Sequence, residues 1–284
     1  MADRVEPAAA APETSASTTL RLGLALGGGG ARGLCHIGVM RVLEELEIRP
    51  SVVSGTSMGG LIGALIAAGY SAEEMNKIAT DVRWSRLIDW NPMSGRLLNT
   101  DSFQRWLAGM LPATFEELEL PLVLTATDIT DGRIHYSQSG DLIRALRATT
   151  AYPGAIEPVA IGRARLVDGG LLNQIPVDGA LMLGAHRVLA VSATPLTDLG
   201  HPREDAGSPR RRQRRGSLKE LLRAVDVMQA QLTMARLSLY RADLVLDPPI
   251  AGVEIADFHR AKVAIQAGED VARKHQDEVR ELVR

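Results

Sequence analysis

The sequence predicts an α/β fold with a mostly parallel central sheet, and three observations carry that prediction. Short apolar runs alternate with segments of helical hydrophobic periodicity. Two β-turn-α units follow one another early, Arg21 to Leu46 and Val52 to Ala68, which implies a parallel strand pair with a right-handed crossover. A length of 284 residues can bury roughly three-quarters of the unfolded surface in one core, and 45% hydrophobic with 23% charged residues is ordinary for a soluble globular protein.

Taken in order, Arg21 to Leu26 is the first apolar run and reads as a strand. Gly27-Gly28-Gly29-Gly30-Ala31-Arg32-Gly33 follows, a loop almost without Cβ atoms. Ile37, Val39, Met40, Val42, Leu43 and Leu46 then recur at helical spacing up to Arg49-Pro50. Val52-Val53 ends a buried strand, and Gly63 to Ala68 is a helix of small and apolar residues. Ser71 with Glu74 forms a capping box for a third helix. The stretch from Trp84 to Leu111, with all three tryptophans, reads as helices and loops forming a cap near the site. Leu122 to Thr127 is a strand, turned by Asp131-Gly132 into a hairpin with Arg133 to Tyr136. A short helix spans Leu142 to Ala148, and a second hairpin Val159 to Val167. Helix Val177–Leu183, strand Val188–Val191 and a last strand Leu244–Leu246 come next. Phe258 to Arg284 reads as one amphipathic helix with a kink at Gly268.

Gly55-Thr56-Ser57-Met58-Gly59 matches the G-x-S-x-G nucleophile elbow, set between the second strand and its helix. A serine on so sharp a strand-to-helix turn holds strained backbone angles, so positions two before and two after must lack a Cβ. The turn lifts the hydroxyl clear of the sheet. It also aims the first N–H groups of the helix at the reacting carbon, where they favour developing negative charge.

The glycine loop admits two uses. Gly28 to Gly33 fits G-x-G-x-x-G, but a dinucleotide fold wants a carboxylate at the end of the second strand, and Val52-Val53-Ser54-Gly55 has none. No Lys-Ser/Thr follows, so it is not a P-loop. In acyl transfer, bare N–H groups beside a serine bind the oxyanion of a tetrahedral intermediate. Arg32 either adds a fixed positive charge there or braces the loop. Both glycine motifs follow strands and should share the carboxyl rim of the sheet.

A serine nucleophile needs a base. Six histidines (His36, His135, His186, His201, His259, His275) are scattered, none in a compelling motif. Asp168-Gly169-Gly170 puts a carboxylate at a strand end with room for close backbone approach, and Asp128 is a weaker rival. A carboxylate is a poor base at its ordinary pKa of about 3.9, so it must be partly desolvated.

Together, Gly28 to Gly33, Gly55 to Gly59 and Asp168-Gly169-Gly170, in that order, resemble the three motifs of patatin-like phospholipases, most closely the short bacterial members. Ala148-Thr149-Thr150-Ala151-Tyr152-Pro153-Gly154 resembles a further family segment, with Thr149 where serine is usual. The likeness covers about Arg21 to Val191 and is weaker at Asp243 to Pro248 and Ile255 to Phe258. It implies a three-layer α/β/α sandwich and a Ser–Asp dyad without histidine, acting on acyl lipids with no metal or other cofactor. Carried over, Ser57 is the nucleophile and Asp168 its proton acceptor. The N–H groups of Gly29, Gly30 and Met58 form the oxyanion hole.

Two other readings stay open. A Ser-His-Asp esterase would run Ser57, Asp168, then His186 or His259. A non-enzymatic nucleotide-binding protein would use the glycine loop alone.

The remaining expectations concern organisation. Residues 1–20 read as a disordered tail, 21–195 as the catalytic core and 196–217 as a mobile basic loop. Residues 218–284 read as helices and a last strand on the same domain, with apolar positions 218, 221, 222, 225, 228 and 232 on one helix face, as core or lid. The run Pro209 to Arg215 (Arg210, Arg211, Arg212, Arg214, Arg215) is either a solvated segment or one drawn to anionic phospholipid headgroups. A formal charge of −2 gives no pull toward nucleic acid. Cys35, the single cysteine, rules out an internal disulfide and fits a reducing, cytoplasmic setting. Ser51 to Ala72 is uncharged and long enough to span a bilayer, but its glycines and central turn suit a buried strand–turn–helix, so no transmembrane helix is expected. No secretory signal is expected either.

Overall fold

The computed structural model describes residues 20–82, 100–154, 156–194, 196, 209–250 and 252–284, and of 100, 101 and 209–223 the backbone. The expected N-terminal tail (residues 1–19), Trp84 and Trp90 of the expected cap, and His201 lie outside them.

The strands are β1 (Leu22–Leu26), β2 (Val52–Thr56), β3 (Leu122–Asp128), β4 (Arg133–Ser137), β5 (Val159–Ile161), β6 (Ala164–Asp168), β7 (Arg187–Val191) and β8 (Leu244–Leu246). They form one sheet in the order β5-β6-β3-β2-β1-β7-β8, with β4 paired to β3. The body β3-β2-β1-β7-β8 is parallel, as the early β-turn-α units predict. β4, β6 and β5 add an antiparallel wing built from the two expected hairpins.

Side chains alternate across a strand, so each parallel strand feeds two layers. Leu22, Leu24, Leu26, Val53, Leu122, Leu124, Leu189 and Val191 point to one face. Packed there are α1 (Cys35–Glu45), α2 (Met58–Ala67), α3 (Ala72–Asp81) and α8 (Ala261–Lys274). Ala25, Val52, Val188 and Ala190 point to the other face, against α6 (Val177–Met182) and Leu237 of α7 (Pro209–Leu239). The result is a three-layer α/β/α sandwich with bulky residues on one side and small ones on the other. Two further helices, α4 (Thr100–Ala108) and α5 (Leu142–Thr149), pack on the bulky side through Phe103, Leu107, Leu142 and Leu146. Ser71 and Glu74 form the expected capping box, Glu74 N donating to Ser71 Oγ and Ser71 N to Glu74 Oε2.

Two expectations about the C-terminal third are corrected. The basic run is helical from Pro209, where the sequence reading put a loop through residue 217. Proline suits a first helical turn, and arginine is a good helix former. The terminal segment is two helices, α8 and α9 (Gln276–Glu281), broken at His275 (φ −108°, ψ 22°) and not kinked at Gly268. Gly268 instead permits contact between helices: a Cβ there would sit 1.9 Å from the Cys35 carbonyl oxygen, and one on Gly38 of α1 would sit 1.9 Å from the Ile265 carbonyl oxygen. Among the described residues, no helix is long and apolar enough to cross a membrane.

Candidate active site

Strand pairing along β3 brings the site together. β2 pairs with Leu122 to Thr125, and β4 covers Leu124 to Asp128, so these two lie on opposite edges of β3. β6 takes Ala126 to Asp128 on the edge that β2 leaves. β2 runs parallel to β3 and β6 antiparallel, so both end at the same gap, with Thr56 opposite Thr125 and Asp168 opposite Ala126. Ser57, the next residue after β2, therefore faces Asp168, the last of β6.

Ser57 has φ 53° and ψ −122°, and it opens α2 as its N-cap. A left-handed serine costs on the order of 1–3 kcal/mol, which the surroundings must offset. They do so by contact on both sides. A Cβ at Gly55 would lie 2.5 Å from the Cα of Gly60, and one at Gly59 would lie 2.3 Å from the Leu26 carbonyl oxygen. From below, Ser57 N donates to Thr149 Oγ1 at 2.8 Å, and Thr149 Oγ1 donates to the Thr125 carbonyl at 2.6 Å.

Ser57 Oγ donates to Asp168 Oδ2 at 2.6 Å, and Gly170 N holds Asp168 Oδ1 at 2.8 Å. Asp168 is only 5% exposed. Burial pushes its carboxyl up to about 6, against the opposing pull of the Ser57 hydroxyl and the Gly170 N–H. Gly169 packs so close to β3 that a Cβ would sit 2.4 Å from the Thr125 carbonyl oxygen. A hydroxyl bonded to a desolvated carboxylate of raised basicity can lose its proton to that carboxylate as it attacks an electrophile.

The glycine loop lies beside this pair. A Cβ at Gly28 would be 3.2 Å from Ser57 Cβ, and one at Gly33 would be 2.6 Å from Met58 Cγ. Gly27 N and Gly28 N donate to the Val191 and Gln174 carbonyls at 2.9 and 3.0 Å, and Ala31 N to the Ile255 carbonyl at 2.8 Å. Between them, the N–H groups of Gly29 and Gly30 meet no acceptor among the described residues, and neither does that of Met58 at the first turn of α2. Arg32 Nε donates to the Val253 carbonyl at 2.7 Å, which makes it a brace of the loop.

Several supporting residues escape a reading of the sequence. Gln174 Nε2 donates to the Gly28 carbonyl and to Thr194 Oγ1, each at 2.7 Å, tying the loop to the end of β7. Thr56 Oγ1 donates to the Asn173 carbonyl at 2.8 Å. Asn173 Nδ2 reaches Asp178 Oδ1 at 2.8 Å, while Arg236 of α7 donates to Asn173 Oδ1 at 3.1 Å and to Asp178 Oδ2 at 2.6 Å. Tyr136 OH also donates to Asp178, and burial, followed by that bond, pushes its phenol up. The Asn173-Gln174 dipeptide, two residues past Leu171, carried no local signal for this.

The rival residues go elsewhere. Asp128 accepts from Thr130 N at 2.9 Å, which holds its carboxyl low, and it sits 3.9 Å from Arg133 Nε. His36 is fully buried, with Nε2 2.8 Å from the Gly27 carbonyl, and burial takes it down to about 4. His186 accepts from Arg21 N at the amino end of β7, the rim opposite Ser57. His259 lies exposed before α8, and His275 pairs with Glu278. His135 sits on β4. Among the described residues, no group of three or more His, Cys, Asp or Glu side chains is arranged to hold a metal ion.

A strained serine at the carboxyl rim of an α/β/α sandwich, bonded to one buried carboxylate under a glycine loop, defines a class of acyl-transfer folds. The particular family follows from comparison: residues 24–181 match the patatin-like phospholipase family, and the chain belongs to it. An uncharacterized NTE family protein of Mycobacterium bovis is 28% identical, with 94% of each chain covered. The lysophospholipase NTE1 of Mycosarcoma maydis is 32% identical over 63% of this chain, which spans only 10% of that protein. Among solved structures, VipD from Legionella pneumophila superposes with a TM-score of 0.57 at 13% identity, covering 91% of this chain and 67% of that one. At that identity the likeness speaks to the fold alone.

Proposed function

We propose that the protein is a serine acyl hydrolase that cleaves carboxylic ester bonds of phospholipids, lysophospholipids or other acyl esters through a Ser57–Asp168 dyad. The observation that carries this reading is the 2.6 Å bond from a hydroxyl in left-handed geometry to a buried carboxylate. Family membership supports the lipid substrate class, as does the likeness to a lysophospholipase.

Ser57 Oγ attacks the ester carbonyl carbon as its proton passes to Asp168 Oδ2. The carbonyl oxygen becomes an oxyanion, for which the unengaged N–H groups of Gly29, Gly30 and Met58 are suited donors; one such donor is worth about 3 to 4 kcal/mol. Collapse expels the alcohol, which takes the proton from Asp168. Water then attacks the acyl-enzyme with Asp168 again as base, and the returning proton restores the Ser57 hydroxyl. The alternative Ser-His-Asp reading draws no support from His186 or His259, which stand at the far rim and in solvent. A fluorophosphonate probe should label the protein at Ser57, with the adduct located by peptide mass. Equal labelling of Ser57→Ala would end the proposal.

A further inference from the structure

Between Ala224 and Leu239, helix α7 presents to solvent a face without a single charge. Val227, Met228, Leu232, Met234 and Leu239 stand on it, with Met228 70% and Leu239 76% exposed, and the rest of the face is alanine, glutamine and serine. The opposite face is anchored: Gln229, Ala230 and Thr233 are buried. The only charged residues of this stretch, Asp226 and Arg236, are half-buried, and Arg236 is held by Asp178 at 2.6 Å. A surface helix ordinarily fills its solvent face with Lys and Glu, so an exposed stripe of methionine and leucine marks a contact surface.

The same helix begins with the opposite character. Residues 209–223 carry seven arginines and lysines against one glutamate. A second copy of this chain would bring the same excess of positive charge to the contact, whereas an anionic lipid surface neutralises it. We propose that α7 lies on an anionic phospholipid membrane, its cationic turns among the headgroups and its Val227–Leu239 stripe in the interface. The helix also runs past the site. Tyr152, raised by burial, feels both the Asp226 carboxylate of α7 and the Asp168 carboxylate.

The proposal stands apart from hydrolysis, so its test uses the Ser57→Ala protein. Co-sedimentation is measured with phosphatidylcholine vesicles with and without phosphatidylglycerol, at low and high salt. Binding should require phosphatidylglycerol and weaken with salt. It should fall at least about tenfold when Arg210, Arg211, Arg212, Arg214 and Arg215 become Gln, and again in Met228→Asp/Leu232→Asp/Leu239→Asp. Circular dichroism and the thermal midpoint check that both variants remain folded. No binding to phosphatidylglycerol vesicles, or binding untouched by either variant, overturns the proposal. So does a dimer in sedimentation equilibrium that the triple variant dissociates, which would make a second copy the occupant.

Discussion

Ser57 and Asp168, 111 positions apart, meet because two strands end against one gap on β3, and Oγ donates to Oδ2 at 2.6 Å. Neither side chain has to search for the other, since the strand register sets both. The carboxylate is also kept dry, so its basicity and its placement come from the same packing.

The rate should follow the ionisation of that carboxylate. In the proposed dyad Asp168 can act as a base only when deprotonated, and burial raises its carboxyl to about 6. The kcat/KM for a soluble ester should be flat at neutral pH and drop tenfold per unit below that value. Asp168→Asn should lower kcat by roughly a hundredfold to ten-thousandfold and erase the inflection. An inflection that survives in the variant would assign the titration to another group.

Elbow glycines should tolerate nothing larger. A Cβ at Gly59 would lie 2.3 Å from the Leu26 oxygen and 2.6 Å from the Gly27 oxygen, both backbone, so no flexible side chain can yield. Gly59→Ala should cost about 1–3 kcal/mol in denaturant unfolding and lower kcat, because the glycine loop is pushed off the serine. Gly132→Ala is the control. Its site has φ 66° and nothing within 4 Å, so about 1 kcal/mol of backbone strain is expected with kcat intact. Equal effects on kcat would mean the contact at Gly59 does not matter.

Thr149 holds the strained serine from behind, with one bond in and one bond out. Thr149→Val keeps the shape but leaves the Ser57 N–H and the Thr125 carbonyl without that partner, at a cost of about 1–3 kcal/mol. Thr149→Ser keeps both bonds and should retain near-normal stability and kcat. Valine and serine variants of equal activity would show that the hydroxyl does not position the elbow.

The parts of this site that could be read from the sequence are those with a local steric cause. Gly55, Gly59, Gly169 and Gly170 sit within two residues of Ser57 or Asp168, and the alternation of apolar runs implies the parallel body of the sheet. What could not be read is set by register and crossing. Gln174 meets Gly28 across 146 positions, and Arg236 meets Asn173 across 63. Gly268 reads as a kink in the sequence for the same reason: it makes room for the Cys35 carbonyl of another helix, which no spacing within its own helix announces. The basic run reads as a loop in the sequence because its composition outweighs the helix-starting role of Pro209.

Stability should reveal Asp168 and His36 pulling in opposite directions. Burial raises Asp168 from its ordinary 3.8 to about 6, so its contribution is fully present below 3.8 and is lost as pH rises through about 6. Burial lowers His36 from 6.5 to about 4, so its contribution is fully present above 6.5 and is lost as pH falls through about 4. Each is worth about 3 kcal/mol, and between these limits they nearly cancel. Asp168→Asn removes one side of the balance. The variant should be more stable than the wild type by about 3 kcal/mol near about pH 8, with the gap closing toward about pH 4. Urea unfolding at both ends of that range measures it. A variant no more stable than the wild type at the alkaline end would mean that Asp168 carries its charge in the folded state without penalty, and the raised basicity required of it as a proton acceptor would go with it.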